Sequence, residues 1–276
     1  VWNIFNDPGE KVEIGSGAGR WLFYRQDVEF LVQTSPLDVR SAKLDNPIQA
    51  ILKFREQLKA KGVELLVVIT PGKPSIYPER LTGVDGLKLA GHGKAILDSL
   101  AKLGLNTVDL YMPLLAAKVD DASLGALYLD DDTHWTPRGA ELAAGEVAKK
   151  VNAMVDAGMI DIGEPSMNYV VSDSLADRMG DIGEMSGLNK FNVFKAQQVT
   201  GHVIYQQEIS ERTEAPADSL SDSTVVRDTV KTPFKDDFRK SKILILGDSF
   251  SRIYQTDAPV NAGWIAHFAK NISRPV

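Results

Sequence analysis

The 276-residue sequence contains no cysteine. Disulfide bonds, thiolate zinc sites, iron–sulfur clusters and a cysteine nucleophile are therefore excluded. The redox compartment stays open, because disulfide-free proteins occur on both sides of a membrane. The sequence contains four histidines, which are candidate general bases.

The sequence also lacks long apolar runs and an excess of basic residues. Its most hydrophobic stretch, residues 63–70, is far shorter than the about 20 residues that cross a bilayer. No signal peptide or anchor is expected within the chain, which starts at Val1. The 31 Lys and Arg face 37 Asp and Glu, and the net charge of −6 argues against nucleic acid as a partner.

Helical and strand-like segments alternate along much of the chain. Helices are predicted, from apolar spacing and capping residues, over residues 46–61, 92–103 and 136–157. Short apolar runs predict strands over residues 63–70, 105–110 and 242–246. The first of these runs is continuous, which is typical of a strand buried on both faces of a parallel sheet. The pattern predicts an α/β fold.

The composition changes between about residues 161 and 240, where Gly, Ser, Asp and Glu are enriched. Two β-like stretches lie there, at residues 199–206 and 223–230, and a polar link at 211–218 predicts a long exposed connection between them. We interpret the segment as a β-rich insertion in a single domain that covers residues 1–276.

Ser249 follows the last predicted strand in the sequence Gly247-Asp248-Ser249. Open α/β sheets bind ligands outside the carboxyl ends of their strands, so Ser249 is a candidate nucleophile. A helix that begins there would offer free N–H groups and a positive dipole end to an oxyanion.

A serine nucleophile needs a general base, and His134 is the candidate because carboxylates, Asp131 and Asp132, directly precede it. An aspartate on one ring nitrogen fixes the tautomer, while the other nitrogen takes the serine proton. The residues leave open which aspartate does this. The other histidines, His92, His202 and His267, lack a motif and are treated as non-catalytic.

Simpler interpretations compete with a triad. Ser249 is of a type common in turns and caps, and His134 is explained equally as a half-buried residue satisfied by Asp132. The acidic run is also explained as a solvated turn or as a site for a hard cation such as Mg²⁺. Metal-dependent phosphoryl chemistry on Asp130, Asp132 and Asp248 ranks last among the functional hypotheses.

Five motifs together resemble a known family. They occupy residues 19–24, 71–78, 130–140, 178–185 and 243–254, with Asp-Asp-Asp-Thr-His-Trp in the third and Gly-Asp-Ser-Phe-Ser in the fifth. Their order and spacing resemble the SGNH-hydrolase-like domain of the bacterial alginate O-acetyltransferases of the AlgJ/AlgX family, the AlgJ type in particular. The similarity runs from about residue 15 to the end.

The resemblance implies a fold and a triad. The fold would be a three-layer sandwich with a mostly parallel sheet and a circularly rearranged motif order, continuing with a further strand and helix beyond Val276. Ser249 would be the nucleophile and His134 the base. Ordinary SGNH hydrolases use Asp-x-x-His, which selects Asp131, whereas this family's Asp-Thr-His selects Asp132, and we follow the family.

Four other residues are weaker candidates for substrate binding: Lys73, Tyr77, Trp135 and Arg252. Lys73 and Tyr77 lie on a proline-rich loop after an early strand, and Arg252 lies three residues past the nucleophile, where it could meet an acidic sugar or an acyl donor. No cofactor and no metal ion is expected.

The resemblance further implies an O-acetyltransferase that acts on an alginate-like exopolysaccharide through an acetyl-serine. The implied partners are a polysaccharide acceptor, an acetyl donor and a membrane-bound acyltransferase of the same pathway. The implied location is periplasmic or facing the cell envelope. Two alternatives stay open: an SGNH carbohydrate esterase or deacetylase, in which water attacks, and a non-catalytic scaffold of a polysaccharide-secretion complex.

Overall fold

A computed structural model describes residues 11–38, 47–187, 194–214, 224–237 and 239–276. Its helices and strands are, in chain order, β1 (Val12–Ile14), β2 (Leu22–Tyr24), α1 (Arg25–Val32), α2 (Pro47–Lys59), β3 (Leu66–Ile69), α3 (Lys73–Ile76), α4 (Pro78–Thr82), α5 (Gly91–Lys102), β4 (Asn106–Asp109), α6 (Tyr111–Ala117), α7 (Asp121–Leu124), α8 (Pro137–Asp156), β5 (Tyr169–Arg178), α9 (Asp181–Met185), β6 (Gln197–Glu214), β7 (Thr224–Pro233), α10 (Ser249–Arg252) and α11 (Trp264–Ile272). None of the helices in these ranges has the length and apolar character needed to cross a membrane.

Helix α8 lies at the centre of the main hydrophobic core and confirms the helix predicted there. Thr136 caps it, since its hydroxyl accepts a hydrogen bond from the Gly139 N–H, and Pro137 occupies the first turn. The buried face of α8 consists mostly of alanine and valine. Helix α11 packs along α8, and on α11 the rings of Trp264 and Phe268 stack with centroids 5.2 Å apart.

Strands β3 and β4 form a parallel pair, with Leu66 opposite Asn106 and Ile69 opposite Asp109. They confirm the strands predicted at 63–70 and 105–110, in shorter form. Burial on both faces is not observed, because each residue of β3 is only half-buried. Among the described residues β3 pairs with β4 alone, and it borders an open cleft of about 1460 Å³.

The strand predicted over residues 242–246 is wrong. The structure assigns no strand to this segment, and Leu244 and Leu246 are 82% and 72% exposed. The segment borders the same cleft as β3. An apolar run becomes a strand only when a neighbour supplies backbone hydrogen bonds, and the described residues place no paired strand beside this one. A mostly parallel sheet is therefore not seen: β3–β4 is the parallel pair of the described chain, and its other two sheets are antiparallel.

The predicted β-rich insertion contains an antiparallel sheet of β5, β6 and β7. Ten residue pairs join β5 to β6, from Tyr169 opposite Gln206 to Arg178 opposite Gln197. The polar link predicted at 211–218 is wrong in its first half, because β6 continues to Glu214 in the ladder with β7. Residues 215–218 lie outside the described residues.

Candidate active site

The loop 129–136 contains the predicted histidine and aspartates, and buried groups form hydrogen bonds to its backbone. Leu22 on β2 donates its N–H to the Asp130 carbonyl at 2.8 Å. The ammonium of Lys73 donates to the carbonyls of Asp130 and Asp132 at 3.0 and 2.8 Å. These hydrogen bonds come from the protein interior and fix the backbone conformation of the loop without a ligand.

His134 lies between an aspartate and a serine. Its Nδ1 is 2.7 Å from Asp132 Oδ1, and its Nε2 is 2.7 Å from Ser249 Oγ. Because an ionised carboxylate only accepts hydrogen bonds, Nδ1 carries the ring proton and Nε2 is left to accept the Ser249 hydroxyl proton. The structure thus brings together the three residues predicted as a triad, from loops 115 positions apart.

Asp132 is fully buried, and both of its carboxylate oxygens accept hydrogen bonds. Oδ1 faces the ring and the backbone N–H of His134, while Oδ2 lies 3.2 Å from Arg178 Nε and 3.3 Å from the Asp181 N–H. Burial acts to raise the pKa of Asp132, but the bonds from His134 and the charge of Arg178 outweigh it and hold that pKa well below its usual range. The carboxylate is therefore ionised at neutral pH.

Asp131 contacts a different part of the molecule. Its Oδ2 lies 3.4 Å from the Gly180 N–H, and its Oδ1 is buried with no hydrogen-bond partner among the described residues. Burial raises the pKa of Asp131 to about 6. The carboxylate placed against His134 is that of Asp132.

Ser249 opens α10, as the sequence predicted for a helix at this point. Asp248 caps the helix, since its Oδ1 accepts a hydrogen bond from the Phe250 N–H at 3.0 Å. The Phe250 ring packs against the His134 ring with centroids 4.8 Å apart. This contact fixes the start of α10 relative to the imidazole.

Three of the four weaker candidates do not face solvent. Lys73, Tyr77 and Trp135 are 1%, 2% and 2% exposed. The Tyr77 hydroxyl donates to Asp121 at 2.6 Å and accepts from the Leu127 N–H at 2.8 Å. Their prediction as substrate contacts is corrected to a structural role. Lys73 and Tyr77 are buried because the proline-rich loop folds into the buried turn α3 and its end. The Trp135 ring packs edge-on against the Phe250 ring, with centroids 5.2 Å apart. Arg252 is exposed, and its role in substrate binding stays a prediction.

Arg178 and Asp181 are site residues that sequence reasoning missed. Besides its N–H bond to Asp132, Asp181 accepts a bond from the Thr133 N–H at 2.7 Å and lies 3.5 Å from His134 Nδ1. Burial raises the pKa of Asp181, and the nearby charge of Asp132 adds to this. Both residues belong to the motif at 178–185, but sequence separations of 46 and 49 residues from Asp132 gave no signal of contact.

A metal ion is the competing interpretation of these side chains. In the part of the chain that the structure describes, Asp132, His134 and Asp181 come close enough to share a cation. The guanidinium of Arg178 on Asp132 and the hydrogen bond of His134 to Ser249 already occupy two of these groups. The set of Asp130, Asp132 and Asp248 does not form a ligand group within the described residues, and Asp248 caps α10 instead.

The other histidines make separate contacts. His92 Nε2 lies 3.0 Å from the Gln33 carbonyl, and His202 Nδ1 lies 2.6 Å from Glu141. His267 is fully buried, and burial lowers its pKa to about 4. None of these contacts involves Ser249.

A serine, histidine and buried aspartate joined by two short hydrogen bonds, with the serine in a Gly-Asp-Ser sequence, define an SGNH hydrolase-like site. Residues 14–257 match the family model described as the SGNH hydrolase-like domain of the acetyltransferase AlgX. The chain belongs to this family.

Relatives with similar sequences carry names that refer to alginate O-acetylation or alginate biosynthesis. "Probable alginate O-acetylase AlgJ" of Pseudomonas fluorescens is 29% identical over 184 residues, 66% of this chain and 42% of that protein. "Alginate biosynthesis protein AlgX" of Pseudomonas fluorescens is 30% identical over 177 residues, 62% of this chain and 33% of that protein. The chain thus spans less than half the length of these curated relatives.

A solved structure shows the same fold. The O-acetyltransferase domain of Pseudomonas putida AlgJ superposes with a TM-score of 0.54 at 23% identity, covering 71% of this chain and 66% of that chain. The fold is therefore that of an SGNH hydrolase-like domain.

Proposed function

We propose that this chain is a serine-dependent O-acetyltransferase that acetylates hydroxyl groups of an alginate-like exopolysaccharide. The observation that supports the chemistry best is the position of His134, whose two ring nitrogens lie 2.7 Å from Ser249 Oγ and from the buried Asp132 carboxylate. The substrate class comes from the names of the relatives.

In the first half-reaction Ser249 Oγ attacks the acetyl carbonyl of the donor while its proton passes to His134 Nε2. Asp132 stabilises the imidazolium through Nδ1–H. The leaving group takes the proton from Nε2 when the carbon–oxygen bond to the donor breaks. The product is an acetyl ester on Ser249 with a neutral His134.

In the second half-reaction a sugar hydroxyl loses its proton to His134 and attacks the acetyl-serine, and Ser249 regains a proton as it leaves. The backbone N–H of Ser249 is the proposed oxyanion donor, because the Phe250 N–H already bonds to Asp248. If water replaces the sugar hydroxyl, the same steps give an esterase.

The wider setting is proposed on the same basis. The fold is a three-layer sandwich in one domain, with residues 161–240 as its insertion and a circularly rearranged motif order, since His134 precedes Ser249 in the chain. The site faces the periplasm or cell envelope, and a membrane-bound acyltransferase of the same pathway supplies the acetyl groups. The intact hydrogen bonds of the triad argue against a scaffold with a degenerate site.

The acetyl-serine is tested by incubation with p-nitrophenyl acetate and mass spectrometry of the digested protein. We expect acetyl on Ser249, and Ser249→Ala should lower p-nitrophenol release by about 10³-fold or more. Ser251→Ala is the matched control, because Ser251 lies on the same short helix, and this variant should keep the wild-type rate. A wild-type rate in Ser249→Ala would refute the mechanism.

Transfer and hydrolysis are separated by adding defined oligosaccharides to the acetylated protein. An acetyltransferase yields acetylated sugar, with loss of the Ser249 adduct that depends on sugar concentration. Release of acetate alone, whatever sugar is present, would instead assign an esterase.

A further inference from the structure

Arg178 is the last residue of β5, in the proposed insertion. It reaches the triad from outside the two segments that carry the triad residues, the loop 129–136 and helix α10. Its Nε lies 3.2 Å from Asp132 Oδ2, and its side chain is only 15% exposed. The ten-residue ladder between β5 and β6 runs to Arg178, so paired backbone supports this position. The insertion therefore delivers a cation to the carboxylate that faces His134.

The Asp132 carboxylate receives four hydrogen bonds, two on each oxygen. His134 supplies both donors to Oδ1, at 2.9 Å from its backbone N–H and 2.7 Å from Nδ1. Arg178 and the Asp181 N–H supply the donors to Oδ2. Four donors fill the acceptor sites of a carboxylate. Of the two donors to Oδ2, the Arg178 guanidinium is charged and the Asp181 backbone N–H is neutral.

The other end of Arg178 contacts the loop that follows the serine helix. Its Nη1 lies 3.5 Å from Asp257 Oδ2, and its guanidinium lies 5.4 Å from the centre of the Tyr254 ring. Tyr254 in turn donates its hydroxyl to the Trp135 carbonyl at 3.1 Å, next to His134. Through one side chain, Arg178 thus contacts both the loop 129–136, which we call the aspartate loop, and the segment after Ser249.

We propose that Arg178 is a positioning residue of the triad. It holds Oδ2 of Asp132 so that Oδ1 stays hydrogen-bonded to His134 Nδ1, and it fixes the position of the loop 129–136 relative to the segment that follows Ser249. The proposal rests on the proposed function of Ser249 and His134. Arg178 acts through Asp132 and touches no reacting atom.

Loss of Arg178 leaves a fully buried carboxylate with one donor fewer and no adjacent guanidinium. Asp132 can then rotate or shift, and the imidazole with it. Displacements of about 1 Å in a reacting group lower rates by about 10²-fold. The effect should fall on the rate of acylation rather than on the affinity for a small ester.

The test compares Arg178→Gln, Arg178→Lys and Arg138→Gln in acetylation by p-nitrophenyl acetate. Arg138 is the matched control, because it is a similarly buried arginine, 19% exposed, that bonds to Asp121 and to backbone carbonyls instead of the triad. We expect Arg178→Gln to lower kcat by about tenfold to 10²-fold with a nearly unchanged KM. Arg178→Lys should recover a large part of the loss, and Arg138→Gln should lower only the thermal stability.

A second readout is independent of turnover. The Nδ1 proton of His134, shared with Asp132, gives a downfield NMR resonance that should shift or broaden in Arg178→Gln and persist in Arg138→Gln and in Ser249→Ala. If Ser249→Ala keeps full activity, the proposed function fails, while this resonance still reports on Arg178.

An unchanged kcat and an unchanged resonance in Arg178→Gln would overturn the proposal. Loss of stability without either change, as expected for Arg138→Gln, would assign Arg178 a purely structural role and overturn it equally. If Arg178→Gln does not fold, Asp257→Asn replaces it, since Asp257 is 42% exposed and anchors the far end of Arg178. A lowered kcat in Asp257→Asn with unchanged KM supports the proposal, and no change in either readout refutes it.

Discussion

Asp131 and Asp132 are adjacent in the chain, but their carboxylates have opposite electrostatic surroundings. Four donors, one of them a guanidinium, surround Asp132. Asp131 has one long bond from Gly180 and a buried oxygen for which the described part of the chain supplies no partner. Burial has the largest effect at Asp131 and raises its pKa to about 6. At Asp132 the hydrogen-bond donors and the charge of Arg178 outweigh burial and lower the pKa. Only one of the two is suited to stabilise an imidazolium.

Exchange of each aspartate for asparagine tests this difference. We expect Asp132→Asn to lower the rate of Ser249 acetylation by about 10³- to 10⁴-fold, because an amide cannot stabilise the imidazolium and favours the wrong ring tautomer. Asp131→Asn should keep most of the wild-type rate. The burst of p-nitrophenol from p-nitrophenyl acetate measures both, and the reverse order of sensitivity would make Asp131 the triad acid.

At this scale motifs in the sequence identify the three residues that the structure brings together, whereas a non-local contact leaves no signal in the sequence. Ser249 and His134 were predicted because each lies at a junction before a helix, and the Asp-Thr-His pattern of the family selected Asp132. Arg178 was not predicted, because its contact with Asp132 depends on where the end of β5 lies in three dimensions. Lys73 was misassigned to the substrate because a proline-rich loop does not reveal that it is buried.

At the scale of elements, helices were the predictable part. The start of α8 follows from two local residues, Thr136 and Pro137, whose capping geometry needs no distant partner. Strands need a neighbour, so the apolar run at 242–246 predicted a strand that the described structure does not contain. The length of β6 was also underestimated, since its polar second half is held in the ladder with β7.

The turn from β5 to α9 packs closely against the loop 129–136 at Asp131. A Cβ on Gly180 would overlap the Asp131 carbonyl and its side chain. Gly180→Ala should therefore push Arg178 and Asp181 away from Asp132. We expect a loss of about 1–3 kcal/mol in the free energy of unfolding, measured by urea denaturation, and slower acetylation of Ser249.

Gly145→Ala, in the middle of α8, is the matched control for this substitution. The nearest atom to a Cβ at Gly145 is Asn271 Nδ2 at 3.9 Å, an ordinary contact. Because alanine favours helix over glycine, this variant should gain about 0.5–1 kcal/mol. Equal stability of Gly180→Ala and the wild type would show that the turn moves aside at no cost and that Gly180 is not closely packed against Asp131.

At the scale of the whole molecule, three chain segments and a buried cluster of ionisable side chains come together at the site. The loop 129–136, the helix α10 that begins at Ser249 and the end of β5 converge on Asp132 or on His134 beside it. Lys73 supports them from the core, and burial lowers its pKa to about 7 although the carboxylates around it act in the opposite direction. Such a cluster makes folding depend on pH through groups that take no part in the reaction.

Asp27 on α1 is the member of this cluster with the clearest expected effect. Burial raises its pKa from 3.8 to about 6, and the charge of Lys73 only partly opposes this. The folded protein therefore binds the Asp27 proton more tightly than the unfolded chain does. The stability that this proton contributes is fully present below pH 3.8 and is lost as the pH rises through about 6.

Asp27→Asn removes this dependence, because the amide stays neutral at every pH. We expect the variant to match the wild type at about pH 4 and to exceed it by about 1–3 kcal/mol in free energy of unfolding at about pH 8, as measured by urea denaturation. Asp98→Asn, which changes an exposed ion pair on α5, should shift the stability by less than about 0.5 kcal/mol at either pH. A constant difference between Asp27→Asn and the wild type across this range would mean that the pKa of Asp27 is the same in the folded and the unfolded protein, and the raised pKa would then be wrong.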